Sequence, residues 1–135
     1  MNFLSGIHAT SSALSAEQVR MDIVAQNIAN AYTTKDANGG PYQRRMVSFE
    51  TIMGGVQKAE RGVKVASIKN DKAPGEQIYN PGHPHADANG MVRMPNVQLS
   101  TEMVDLMSAS RAYEANLSVA RNSRSLALRA LSIGK

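Results

Sequence analysis

Residues 13–34 read ALSAEQVRMDIVAQNIANAYTT, and their spacing decides how the chain begins. Extended back to residue 3, the segment places Leu4, Ile7, Ser11, Leu14, Gln18, Met21, Ala25 and Ile28 at alternating steps of three and four. Six of these eight are apolar. A strand would alternate by two, whereas this period is that of a helix with a narrow heptad-like seam. No proline interrupts it, and Gly6 is the one strong breaker. The spacing predicts a helix over 3–31, about 43 Å long at ~1.5 Å per residue.

A second helix is predicted from Ser100 to Ile133, with a seam of Met103, Leu106, Ser110, Tyr113, Leu117, Ala120, Arg124, Ala127 and Leu131. Pro95 and Ser100 supply start signals and Gly134 a stop. Glu102 and Asp105 lie toward its N-terminus, and Arg121, Arg124 and Arg129 toward its C-terminus, the polarity that suits a helix dipole. Two such helices cover each other on one face only. Ala13, Val19, Ile23, Val24, Ala109, Ala112 and Val119 fall off the seams, so an isolated pair would expose them and call for protein partners.

Between the helices the composition changes. GGPYQRRMVSFETI (39–52) and RGVKVASIKND (61–71) contain short alternating runs that suit strands, separated by Gly54-Gly55. The fold expected is mainly α with a small β-rich insert. Residues 1–31 and 100–135 form the terminal helices, pairing as one coiled-coil-like layer, and residues 32–99 form the insert with long loops. Composition agrees with thin helix-on-helix packing: four Tyr, two Phe and no Trp stand against eight Met in 135 residues. With no Cys, disulfides, zinc–thiolate sites and thiol catalysis are excluded. The net charge of +4 is scattered, Arg44-Arg45 being the adjacent basic pair, so nucleic-acid binding is not indicated. The first 20 residues carry neither the basic start nor the apolar run of a cleaved signal or a membrane span.

YNPGHPHADANGMVRMPN (79–96) places His83, His85 and Asp87 at alternate positions, and the chain has three histidines in all. As a calcium loop starting at His85 the stretch fails, because its first and twelfth positions are His85 and Asn96 rather than acids. As a transition-metal site it lacks a fourth ligand, His8 belonging to the first helix. No nucleophile–base grouping and no phosphate-cradling loop stands out. Pro81 and Pro84 stiffen the stretch, and Gly82 and Gly90 allow special backbone angles. DANG occurs at 36–39 and again at 87–90, and turn chemistry accounts for both. The expectation is a shaped loop, with no catalytic residue, metal, cofactor or small-molecule substrate.

Asn27-Ile28-Ala29-Asn30 with Thr33 following resembles the N-terminal signature of the bacterial flagellar rod and hook proteins. Three further segments, GGPYQRR (39–45), YNPGHPHADANGMVRMPNV (79–97) and EMVDLMSASRAYEAN (102–116), resemble the proximal-rod FlgC type, in order and over essentially the whole chain. Tyr32 stands where that type commonly has Asn, and the Gly–aromatic pair many rod and hook proteins carry after the Thr is missing. The resemblance implies a structural subunit of the basal-body rod, exported without a cleaved signal peptide, whose helices line a central channel. The implied partners are further copies, neighbouring rod proteins and the export-gate or adaptor proteins at the rod base. Family-motif positions implied for assembly are Asn27, Ile28, Ala29, Asn30, Thr33, Gly40, Pro41, Tyr42, Pro81, Gly82, His83, Pro84, Asp87, Gly90, Ser110, Arg111, Tyr113 and Asn116, with Asn27 and Asn30 fixing the helix end. A stand-alone coiled-coil adaptor or chaperone is the alternative from a different class, and a metal-binding module a weaker one.

Overall fold

The computed structural model describes residues 3–53 and 61–133, with side chains from residue 6 onward. The Leu4 side chain, Gly54, Gly55 and Gly134 therefore lie outside the described residues. In order, the elements are α1 (Phe3–Ala29), β1 (Arg45–Met53), β2 (Arg61–Asn70), β3 (Gln77–Tyr79), β4 (Met91–Arg93) and α2 (Leu99–Ile133).

The two helices pack antiparallel: Asn27, near the end of α1, meets Glu102 in the first turn of α2, and Arg20 meets Asp105. From Asn27 back to Phe3 α1 is shorter than α2 is from Glu102 to Ile133. The last two turns of α2, about 10 Å at ~1.5 Å per residue, therefore overhang. Strands β1 and β2 form an antiparallel hairpin with a register shift between Ser48 and Phe49. β3 and β4 form a second, three-residue antiparallel pair whose connection is the histidine loop. Residues 39–44, expected to start the first strand, run instead as a link, with Tyr42 N–H bonded to the Thr33 carbonyl. The reason lies in the backbone: Pro41 has no N–H to give a ladder, and Arg44 spends its N–H on Asn96 and its carbonyl on Asp71 N–H.

The hairpin lies on α1, closest at Gly62, where a side-chain Cβ would come 2.6 Å from Ser12 Oγ. That hydroxyl donates to the Ala9 carbonyl and accepts from Val63 N–H at 3.1 Å. α1 is thus covered on two sides, by α2 and by the hairpin, and this turns its buried face away from the expected seam. Ala16, Ile23, Val24, Asn27 and Ala31 are buried, while Leu14, Met21 and Ile28 are half-buried and Ile7 and Ala25 exposed. On α2 the buried line runs through Glu102 and Ala109, one residue before the expected positions. Leu106, Ser110, Tyr113, Leu117 and Ala120 are half-buried, and Met103 and Leu131 are exposed. Ile23, Val24 and Ala109, expected to be exposed in an isolated pair, are in fact the centre of the core. Ile23 and Val24 occupy the trough between hairpin and α2, beside Val47, Phe49 and Glu102. Ala109, with no exposed surface, marks the close approach of the two helices. The core is thin, as few aromatics dictate.

Candidate functional site

At the end of α1 the sequence places an asparagine where the seam period calls for something apolar one residue later. A buried Asn side chain needs partners for two donors and two acceptor lone pairs. Asn27, with no exposed surface, finds all four. Its Nδ2 donates to the Arg45 carbonyl at 2.9 Å and to Glu102 Oε2 at 3.0 Å. Its Oδ1 accepts from Arg45 N–H and from the Tyr42 hydroxyl, both at 2.9 Å. The amide thereby replaces a neighbouring strand at the first residue of β1, pairing with both backbone groups of Arg45. Aspartate lacks the donors for this, and glutamine is longer by a methylene.

Glu102, also without exposed surface, completes the cluster. One carboxylate oxygen accepts from Asn27 and the other from Arg44 Nε in a charge-assisted ion pair. Arg44 remains about one-quarter exposed. Arg44 N–H in turn donates to Asn96 Oδ1 at 2.7 Å, and Asn96 Nδ2 donates to the Asp71 and Ala73 carbonyls at 3.1 and 3.0 Å. Burial raises the Tyr42 phenol above its ordinary pKa; Arg45 opposes this, and Glu102 and Asp36 add to it. A single hydrogen-bonded clasp therefore ties α1, the link, β1, the turn after β2, the approach to α2 and α2 itself. It holds no nucleophile beside a base. What it does is fix the insert to the helix pair in one register.

The remaining singled-out positions distribute as follows. Asn30 is half-buried and donates through Nδ2 to the Gln26 carbonyl at 2.9 Å, while Thr33 Oγ1 donates to Asn30 Oδ1 at 3.2 Å. The Gln26 carbonyl also accepts the Asn30 N–H at 3.1 Å, so backbone and side chain of Asn30 close the end of α1 together. Ala29 is exposed, Gly40 and Pro41 are half-buried, and Tyr32, where the resemblance departs, is 71% exposed. Asn116 Nδ2 bonds back to the Ala112 carbonyl, and Arg111 is exposed.

The two DANG turns are built alike. Gly39 and Gly90 take φ of 83° and 76°, and each donates its N–H to the carbonyl of the Asp three residues earlier. Gly90 is buried, and a Cβ there would come 2.9 Å from the Tyr79 ring. In the histidine loop Asp87 Oδ1 accepts from the N–H of Asn89 and of Met91. His83 Nδ1 accepts from His85 N–H, and His85 Nδ1 bonds Thr34 Oγ1 at 2.8 Å. Pro81, Gly82, Pro84 and Asp87 are exposed and His83 half-buried, so the loop presents a surface ridge. The clasp residues outside the positions implied for assembly are Arg44, Arg45, Asn96 and Glu102.

Two terminal helices carrying the Asn27 and Glu102 halves of one clasp, with a small insert between, define a helix-paired protein whose clasp is structural. The family described as flagella basal body rod protein matches residues 7–35. The family described as flagellar basal body rod FlgEFG protein C-terminal matches residues 88–133. Proteins named flagellar basal-body rod protein FlgC are similar along their whole length. The one from Salmonella typhimurium is 42% identical over 135 residues, covering 100% of both chains. That from Bacillus subtilis is 41% identical with 100% of both covered, and that from Borreliella burgdorferi 39% identical with 98% of both. The chain belongs to the flagellar basal-body rod protein family and is of its FlgC type, a structural subunit of the rod.

Proposed function

We propose that this subunit builds the proximal part of the rod by helical packing, so that many copies and neighbouring rod proteins form a drive shaft around an export channel. The observation that carries the reading is surface. The chain exposes 9776 Å², against about 6,900 Å² for a compact monomer of its mass. Much of the excess is apolar: Val104, Met107, Val119 and Leu126 on the outer face of α2, Leu131 and Ile133 on its overhang, and Met53 on the hairpin are all more than half exposed. On this reading the apolar seam residues left exposed in the single chain, Ile7, Ala25, Met103 and Leu131, pack in a coiled-coil-like layer against adjacent subunits. The histidine ridge and hairpin key one subunit to the next. Contacts that do not close into a ring generate such a filament. Among the described residues no helix is long and apolar enough to cross a membrane. The reading includes export through the flagellar apparatus without a cleaved signal, to a periplasmic rod, and contact with adaptor proteins at the rod base.

Deleting the gene and imaging isolated basal bodies by electron microscopy tests the reading. Missing or arrested rods, restored by an intact copy, are expected. Complete rods and hooks in the deletion strain would overturn it.

A further inference from the structure

The segments that build the clasp turn their other side toward a cleft of about 970 Å³, at the upper end of the range of about 300–1,000 Å³ usual for binding pockets. Arg45, Lys72 and Arg93 line it against a single acid, Asp36. That acid is engaged locally, one carboxylate oxygen accepting from Ala37 N–H and the other from Asn38. Among the described residues, none of the three cations has a carboxylate within ion-pair distance. Arg45 lines the cleft while one guanidinium nitrogen is anchored to Gln26 Oε1 on α1 at 2.8 Å. The walls are preformed: Asn96 holds the segments at 44, 71 and 73 together, and Gly75 lies so close that a Cβ would sit 1.8 Å from the Met94 carbonyl oxygen. A fixed wall spares a ligand much of the ordering cost of binding.

We propose that this cleft receives an extended, carboxylate-bearing peptide segment from a different protein of the basal body, an inference that rests on the rod reading. Two guanidinium groups and an ammonium on otherwise polar walls match carboxylates, and Pro41 and Pro74 give the segment apolar ledges. A second copy of this chain does not supply such a segment from its described residues. Asp36, Asp71 and Asp87 are held by backbone N–H groups of their own loops. Glu17, Glu50, Glu102 and Asp105 pair with Arg20, Lys64 or Arg44. Asp22 and Glu114 stand alone on helices, and Glu76 alone just before β3. A nucleic acid fits less well, since Tyr42 is the one aromatic lining residue and its hydroxyl is tied to Asn27.

A photoreactive benzoylphenylalanine at Gln43, in a chain that complements the deletion strain, reads the occupant directly, with the unirradiated sample as the control. Irradiated basal bodies should yield a covalent product with another basal-body protein, mapped to a stretch of about ten residues holding at least two Asp or Glu. A labelled synthetic peptide of that stretch should bind the purified chain at least tenfold more weakly in the Lys72→Glu/Arg93→Glu variant, whose thermal melt is unchanged. Three results would overturn the proposal: a product mapped to another copy of this chain, to a stretch without carboxylates, or to nucleic acid. So would a chain that enters basal bodies yet gives no product above the unirradiated control, or peptide affinity unchanged by the charge reversal. A photoreactive chain that complements nothing and is absent from basal bodies, where the unmodified chain is also absent, removes the rod reading and the proposal with it.

Discussion

Replacing Glu102 by Ala takes away the one carboxylate that, among the described residues, is fully buried. Two charge-assisted bonds go with it, to Arg44 Nε and Asn27 Nδ2, each worth about 1.5–3 kcal/mol where a charged group takes part. Breaking one side of a buried ion pair costs about 3–5 kcal/mol because the other charge is left behind. Arg44 is 23% exposed and regains some hydration, so the lower end, ~3 kcal/mol, is the expected loss. With a urea slope of about 1.5 kcal/mol per molar, the unfolding midpoint followed by circular dichroism should fall by ~2 M. Glu102→Gln, which keeps the shape and one acceptor, should lose about half as much. The sharper arm is the pair Glu102→Met and Glu102→Met/Arg44→Met. Removing both charges should recover at least ~1 kcal/mol over the single change, because no guanidinium remains stranded. A midpoint shift under ~0.5 M for Glu102→Ala, or a double variant no more stable than the single one, would refute the clasp as the element that holds insert to helices.

Tyr42 titrates above its ordinary value, so the folded state holds the phenol proton more tightly than the unfolded chain. Its stabilisation is complete below about pH 10 and declines as pH rises from there through the raised value; the stability difference between wild type and Tyr42→Phe, measured by urea titration, should therefore narrow in alkali. Gly62→Ala should destabilise by ~1–3 kcal/mol through its clash with Ser12 Oγ, and Ser12→Gly in the same chain should recover part of the loss in a thermal melt. In the free subunit, hydrogen exchange should be fastest in α2 beyond residue 126, where no α1 residue lies alongside, and slowest around Asn27 and Ala109; rapid exchange at Ala109 would contradict the packing. Assembly into rods should then protect the overhang.

Both helices were legible from the sequence because their signal is local: apolar residues at steps of three and four, no proline, and turn residues at the ends. Which face is buried was not legible. The heptad reading assumed one partner for α1, and the hairpin supplies a second, so Ile23 and Val24 rather than Ala25 enter the core. The DANG turns were readable for the same local reason, their glycines taking positive φ as expected of such turns. The clasp was half visible. Asn27 and Tyr42 were among the positions implied for assembly, whereas Glu102 and Asn96, though inside matching segments, looked like an ordinary acid at a helix N-terminus and one more loop asparagine. Their partners lie 75 and 52 residues away along the chain, and no period or spacing reports a bond of that span.

The polarity of the clasp is the feature that makes mechanical sense of a subunit with so little core. An apolar contact between the insert and a smooth, alanine-rich helix would tolerate sliding, since burial depends on area and not on direction. Hydrogen bonds do not tolerate it: a shift of the insert by one residue along α1, about 1.5 Å, would break the three bonds Asn27 makes to Tyr42 and Arg45 and pull Arg44 away from the buried Glu102 carboxylate. Partner changes of that kind leave polar groups unpaired, which costs far more than the same shift between apolar faces. The helix pair and the insert therefore move as one body near the clasp. Softness is left to the overhang and the hairpin face, which neighbouring subunits cover on the rod reading. The proposed drive shaft would need that division, because torque applied to the insert would have to reach the helices without slip, while the covering surfaces would have to accommodate a helical lattice.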